Sequence, residues 1–142
     1  MSAENKVIFK PVLISHPNLS KIISPSVGMA TEQKIHDILT SYKMANHHLI
    51  GAFSNEVLIG VSGVEIEAEN GVIKHISISE PYKRQQIGRN LIAHIAKYFS
   101  IKHFVVETDD DSVEFYRKCG FQCLSFNGKY GRRYRCNMEY NK

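Results

Sequence analysis

The apolar positions of this chain follow two rhythms, alternation and a helical period of about 3.6, and the switches between them mark its elements. "VIFKPVLI" (7–14) reads as an opening strand or extended segment, with Pro11 pointing to a sheet edge or a bulge. "SHPNLSKIISPSVGMA" (15–30) is turn-rich with room for a short helix. In "TEQKIHDILTSYKMA", Ile35, Ile38, Leu39 and Tyr42 recur at helical spacing behind Thr31, a suitable N-cap. Three strands follow, "HHLIGAF", "VLIGVSGVEIE" and "VIKHISIS", joined by the short turns "SNE" and "AENG". Links that short make antiparallel neighbours. The rhythm then changes. Ile87, Leu91, Ile92, Ile95 and Phe99 share one helical face before the β-branched strand "KHFVVET". A strand, a helix and a strand in sequence predict a parallel crossover. "DDDSVEFYRKCGF" predicts a helix whose start is favoured by three aspartates and whose end is Gly120. "FQCLSF" and "RRYRCNMEY", around the turn "NGKYG", close the chain. The expected fold class is α+β: a mixed, mostly antiparallel sheet flanked by helices, with one parallel βαβ crossover.

A chain of 142 residues supports one core, so a single domain over residues 1–142 is expected. With 43% hydrophobic and 23% charged residues it is too apolar for disorder. No apolar run approaches the roughly 20 residues of a membrane span. The opening "MSAENKVIFK" lacks the long apolar stretch and the cleavage site of a secretory signal, so the expected setting is the cytoplasm. Cys119, Cys123 and Cys136 make an odd count, and without a signal this predicts reduced, buried thiols. The net charge of +4 suits an anionic ligand as well as it suits nucleic acid.

The segment most loaded with chemistry is "SEPYKRQQIGRNLI" (79–92), which joins a strand to the amphipathic helix. Backbone N–H groups at a helix start lack helical partners and, with the helix dipole, attract anions. Gly88 allows close backbone approach, and Lys83, Arg84 and Arg89 add positive charge. Phosphate is the expected ligand, against the plainer reading of a solvated basic loop. Neither the P-loop pattern nor the dinucleotide glycine fingerprint is present.

This segment resembles the coenzyme A loop of the GNAT superfamily of N-acetyltransferases, in particular its small bacterial-type members. The family pattern is Gln or Arg, two residues, Gly, one residue, then Gly or Ala, after a strand and a lead-in like "ISISEPY". Lys83 stands at the first position, Gln86 at the first glycine and Gly88 at the second. A glutamine costs nothing there if the position is helical and is strained if it requires φ > 0. "TDDDSVEFYRKCGF" matches a second family segment, in which a helix ending in the pattern Phe-Tyr, one residue, Lys, one residue, Gly-Phe follows an Asn- or Asp-rich turn. The match covers about residues 47–140. The resemblance implies acetyl-CoA as cosubstrate, no metal, and transfer of its acetyl group to a primary amine of a small molecule or peptide. It also implies that Ser77 and Ile78 pair with the pantetheine arm and that Lys83, Arg84, Gln85, Gln86, Ile87, Gly88 and Arg89 hold the phosphates.

Such a transfer needs a neutral amine, a stabilised oxyanion and a protonated leaving thiolate. The resemblance puts Tyr116 beside the sulfur as the acid; as a plain residue of its helix it would only pack. For the oxyanion, the backbone N–H of Ile78 is expected, freed by a bulge that no sequence can display. The base has three candidates: Glu107 at the end of its strand, His75 beside "ISI", and Glu65. A water chain with no single base is the alternative. His47 and His48 point to opposite faces of a strand and read as structural or substrate-facing. Lys129, Arg132, Arg133 and Arg135 surround a turn and read as solvated surface, or as contacts for an acidic substrate or the coenzyme's ribose phosphate. Neither nucleic acid nor a membrane is an expected partner, and a homodimer is compatible with the family. A non-catalytic acyl-CoA sensor and a nucleic-acid-binding domain are the competing classes.

Overall fold

The computed structural model describes residues 6–83 and 85–140. One sheet of seven strands has the order β1-β2-β3-β4-β5-β7-β6. The strands are β1 (Val7–Pro11), β2 (His47–Ser54), β3 (Val57–Glu67), β4 (Asn70–Ile78), β5 (His103–Thr108), β6 (Gln122–Gly128) and β7 (Gly131–Glu139). Four helices accompany them: α1 (Leu19–Ile23), α2 (Glu32–Ser41), α3 (Ile87–Tyr98) and α4 (Val113–Lys118). Every neighbouring pair is antiparallel except β4 and β5, which are parallel and bracket α3. This is the mixed α+β architecture the residue pattern predicts, and Pro11 does lie on an edge strand.

Local chemistry explains the boundaries. Asn55 and Glu56, between β2 and β3, both have positive φ (50° and 68°), the signature of a tight turn whose twist matches its strands. Thr31 Oγ1 accepts the N–H of Lys34 at 3.1 Å and caps α2. Asp109 Oδ1 accepts the N–H groups of Asp111 and Ser112, each at 3.1 Å, and so shapes the entry to α4. That helix ends at Gly120, at φ 106°.

Each face of the sheet has its own core. Leu91, Ile92 and Ile95 of α3 and Tyr116 of α4 pack on Ile50, Val64, Ile73, Phe104 and Val106. On the opposite face, Leu19 and Ile23 of α1 and Ile35, Leu39 and Tyr42 from the α2 segment cover Leu49, Phe53 and Val61. A core on both faces is what makes β2 and β3 read as nearly continuous apolar runs.

One expectation is corrected here. Cys123 and Cys136 are not reduced thiols; they form a disulfide with Cα atoms 4.0 Å apart, and only Cys119 is free. Pairing of β6 with β7 sets the two residues directly opposite each other. A separation of 13 residues in sequence carries no trace of that register.

Two irregularities prepare the site. The β3–β4 ladder pairs Gly63 with His75 and then Val64 with Ile73, so Lys74 is an extra, bulged residue. The bulge reverses alternation: Ile73 enters the α3 core, while His75, two residues on, lies on the opposite face against Tyr42. Ser62 Oγ anchors it by donating to the His75 carbonyl at 2.9 Å. In addition, β4 pairs with β5 only from Asn70 to Val72 and diverges from it thereafter.

Candidate active site

The divergence opens a cavity of about 1120 Å³ between β4 and β5. Its walls are Lys74 to Ile78 of β4, Val106 to Thr108 of β5, the start of α3, and Phe115, Tyr116 and Cys119 around α4; Pro25 to Gly28 close it from the α1 side.

The β4 wall presents backbone. Ser79 N–H bonds Ile59 O at 2.7 Å, which fixes the phase of the β3–β4 ladder. Alternation then turns the N–H and C=O groups of Ile78 and Ile76 away from β3, toward the gap. Ile78 is the strand position the sequence singles out. Ile76 shares its edge and lies next to the bulge, and no sequence signal distinguishes it.

The start of α3 presents N–H groups. Gln86 is the N-cap residue and makes no side-chain capping bond. The first helical bond runs from Asn90 N–H to Gln86 O, so the N–H groups of Ile87, Gly88 and Arg89 have no partner within the helix. A Cβ on Gly88 would fall 2.9 Å from the Phe115 ring, so the missing side chain lets α3 and α4 close on the cavity. Gln86 has φ 61° and ψ 20°, the left-handed region. The position therefore does require φ > 0, and glutamine carries the strain that a glycine would avoid. Lys83, Gln86, Gly88 and Arg89 line the cavity, Lys83 with its ammonium 3.0 Å from Glu80. Gln85 is exposed and is not among the lining residues, and the Ile87 side chain packs into the core with Ala52 and Ile59. Arg84 lies outside the described residues.

The α4 wall holds Tyr116. It is 5% exposed, and burial, aided by Cys119 and Asp109, pushes its phenol above the ordinary tyrosine range. Among the described residues no buried side-chain polar atom lacks a partner, and none is found for the Tyr116 hydroxyl, which therefore opens on the cavity. Cys119 also lines it, as a thiol that burial pushes up against the opposing pull of Arg89.

The three candidate bases separate. His75 lines the cavity; its Nδ1 is 2.6 Å from the Tyr42 hydroxyl, and burial, then Lys74, push it below the usual histidine range. Glu107 also lines the cavity and accepts from Arg135 at 3.1 Å. Glu65 is not among the lining residues; its carboxylate lies 3.6 Å from Lys74 Nζ and 3.7 Å from His47 Nε2. The His48 ring packs at a tilt against Phe99, with ring centroids 4.6 Å apart. Of the basic cluster, Arg132 is bound to Asp110 and Arg135 to Glu107, while Arg133 lines the cavity. Tyr42, Lys74 and Phe115 join the site without having been singled out. Tyr42 read only as part of the apolar stripe of its helix, Phe115 carried no signal of its own, and the place of Lys74 depends on the bulge.

The walls of one cavity therefore carry helix-start N–H groups and cations, an open strand edge and a protonated phenol. Comparison with known proteins gives the family and the fold. The profile of an acetyltransferase (GNAT) domain matches residues 25–135. No curated protein matches the chain. Among solved structures, the PaiA N-acetyltransferase of Thermoplasma acidophilum, in complex with coenzyme A, is 17% identical, with a TM-score of 0.73 over 95% of this chain and 99% of that one. A GNAT family acetyltransferase from Elizabethkingia anophelis with acetyl-CoA bound is 19% identical, with a TM-score of 0.72 over 97% and 100%. An acetyltransferase from Thermus thermophilus is 14% identical, with a TM-score of 0.77 over 94% and 97%. The split sheet, the helix that starts at its mouth and the profile match over most of the chain place this protein in the GNAT acetyltransferase family.

Proposed function

We propose that this protein transfers the acetyl group of acetyl-CoA to a primary amine of a small molecule or peptide, by direct attack on the thioester. One observation carries the reading: a single cavity joins an uncapped helix N-terminus, an opened strand edge and a buried phenol. Bound acetyl-CoA supplies an activated acyl group and a thiol leaving group.

The N–H groups of Ile87, Gly88 and Arg89, which have no partner within the helix, bind the diphosphate, and Lys83 and Arg89 add charge. The outward edge at Ile78 hydrogen-bonds the pantetheine arm, alongside Ser77 on the same wall. The N–H of Ile76, two residues along the same edge and next to the bulge, stabilises negative charge developing on the acyl oxygen; such a donor is worth most where water is excluded. Glu107 receives the proton of the amine through water. A lysine-like amine has a pKa near 10.4, so this relay handles a proton that the neutral-pH acceptor mostly still carries.

Tyr116 stays protonated. Its raised phenol widens the gap to a thiol of about 8.5, and each unit of mismatch costs about 1.36 kcal/mol. Tyr116 therefore contributes a hydrogen bond to the sulfur as negative charge develops there, with solvent completing the protonation.

The test is coenzyme A release over a panel of amines. Tyr116→Phe is expected to lower kcat by roughly 10- to 100-fold, the worth of one hydrogen bond to a charged sulfur, with little change in acetyl-CoA binding. Near-normal turnover of Tyr116→Phe would leave the phenol a packing role only. Tight acetyl-CoA binding without release on any amine would favour an acyl-CoA sensor.

A further inference from the structure

We propose that Tyr42 is a positioning residue for His75: its hydroxyl donates to Nδ1, leaves the ring proton on Nε2, and so gives the cavity a hydrogen-bond donor at His75 instead of a base. The inference rests on the acetyl-transfer reading above for its catalytic consequence, but not for its structural core.

The argument starts from space. Tyr42 closes the α2 segment and lies flat on β3, where a Cβ on Gly63 would overlap its hydroxyl. Only a residue without a side chain at Gly63 lets the phenol reach across β3 to β4. The Lys74 bulge supplies the other half by bringing His75 to the same face. Hydroxyl and Nδ1 meet at 2.6 Å, with ring centroids 5.9 Å apart.

Proton counting then decides the direction. Tyr42 is 6% exposed, and burial pushes its phenol above the ordinary range, so it keeps its proton. Its hydroxyl has one partner among the described residues, His75 Nδ1. If Nδ1–H donated to the phenol oxygen, the phenol O–H would be buried without an acceptor, at a cost of roughly 1–3 kcal/mol. If the phenol donates, both groups are satisfied. A neutral imidazole carries one N–H, so the proton sits on Nε2. That nitrogen has no partner among the described residues and, since no buried polar side-chain atom among them is unpaired, it is not sealed off, on a residue that lines the cavity. The charged and titratable groups around the pair include Lys74, adjacent on β4, and His47, whose ring packs 6.0 Å from that of Tyr42; Glu65 lies near both.

Three measurements test this on the full chain. Long-range nitrogen–proton NMR correlations of the His75 ring at alkaline pH should show Nδ1 bare and Nε2 protonated; a protonated Nδ1 overturns the proposal. Tyr42→Phe removes a donor that favours the neutral ring, so the NMR titration of His75 should move to higher pH; an unchanged or lower midpoint overturns it. Finally, Gln retains an N–H donor near Nε2 but no base. His75→Gln should exceed His75→Leu in acetyl transfer by about tenfold, the worth of one hydrogen bond. Equal activities would remove the donor role. If the unaltered protein releases no coenzyme A on any amine, the acetyl-transfer reading fails, and the two NMR measurements still decide the tautomer.

Discussion

In the loop that opens α3, the identity of Gln86 works against its conformation. At φ 61° a side chain other than glycine crowds its own backbone, and the Gln86 side chain makes no capping hydrogen bond in return. Gln86→Gly is expected to raise stability by about 1 kcal/mol, less the greater entropy that glycine loses on folding, seen as a higher melting temperature. It should also tighten acetyl-CoA binding, measured by calorimetry, because the side chain lines the cavity. A lower melting temperature would mean that the glutamine makes a compensating contact. Tyr116 and His75 follow the same logic in reverse. Each is a residue of ordinary type whose chemistry is set by burial, which holds one phenol protonated and one imidazole neutral.

At the level of elements, the site depends on how α3 and α4 meet and on how the last hairpin is held. Gly88→Ala adds a methyl group that would fall 2.9 Å from the Phe115 ring. The helix gains propensity, yet the cavity wall must shift. The expected outcome is a rise of about tenfold in KM for acetyl-CoA with kcat less affected, the pattern of lost uniform binding. The β6–β7 hairpin is fastened twice: by the Cys123–Cys136 disulfide, and by Asp110, which accepts from Arg132 at 3.1 Å and from the Tyr134 hydroxyl at 2.8 Å. A closed loop with a sequence separation of 13 constrains the unfolded chain by about 3 kcal/mol. Cys136→Ser, or reduction before denaturant unfolding, should lower stability by a sizeable part of that amount. Identical midpoints with and without reductant would show that the bridge constrains nothing.

For the molecule as a whole, pH is the global variable the structure speaks to. His75 and His48 are both pushed below the usual range, in each case chiefly by burial. Unfolded histidines titrate near 6.5, so on acidification the unfolded chain takes up protons before the folded one does. The stability these residues contribute is full above about pH 6.5 and is lost as pH falls through their folded values. Melting temperatures should therefore hold steady at neutral pH and decline below it, and His75→Gln should flatten part of the decline. A curve that rises on mild acidification would contradict the assignment. No helix among the described residues is long and apolar enough to cross a membrane.

What the sequence by itself determined is local. Alternation, helical spacing and turn chemistry are properties of neighbouring residues, so the strand and helix order, the antiparallel start, the parallel crossover and the loop at the mouth of α3 were all legible before any contact was known. The loop and the α4 segment could be placed near a coenzyme because their spacing resembles a family. Only the tertiary structure decided the rest. The left-handed backbone at Gln86, the Lys74 bulge that turns His75 to the other face, the pairing of Cys123 with Cys136 and the reach of Tyr42 over Gly63 all depend on register between distant segments. A shift of one residue in a ladder exchanges the faces of a strand without altering a letter of its sequence.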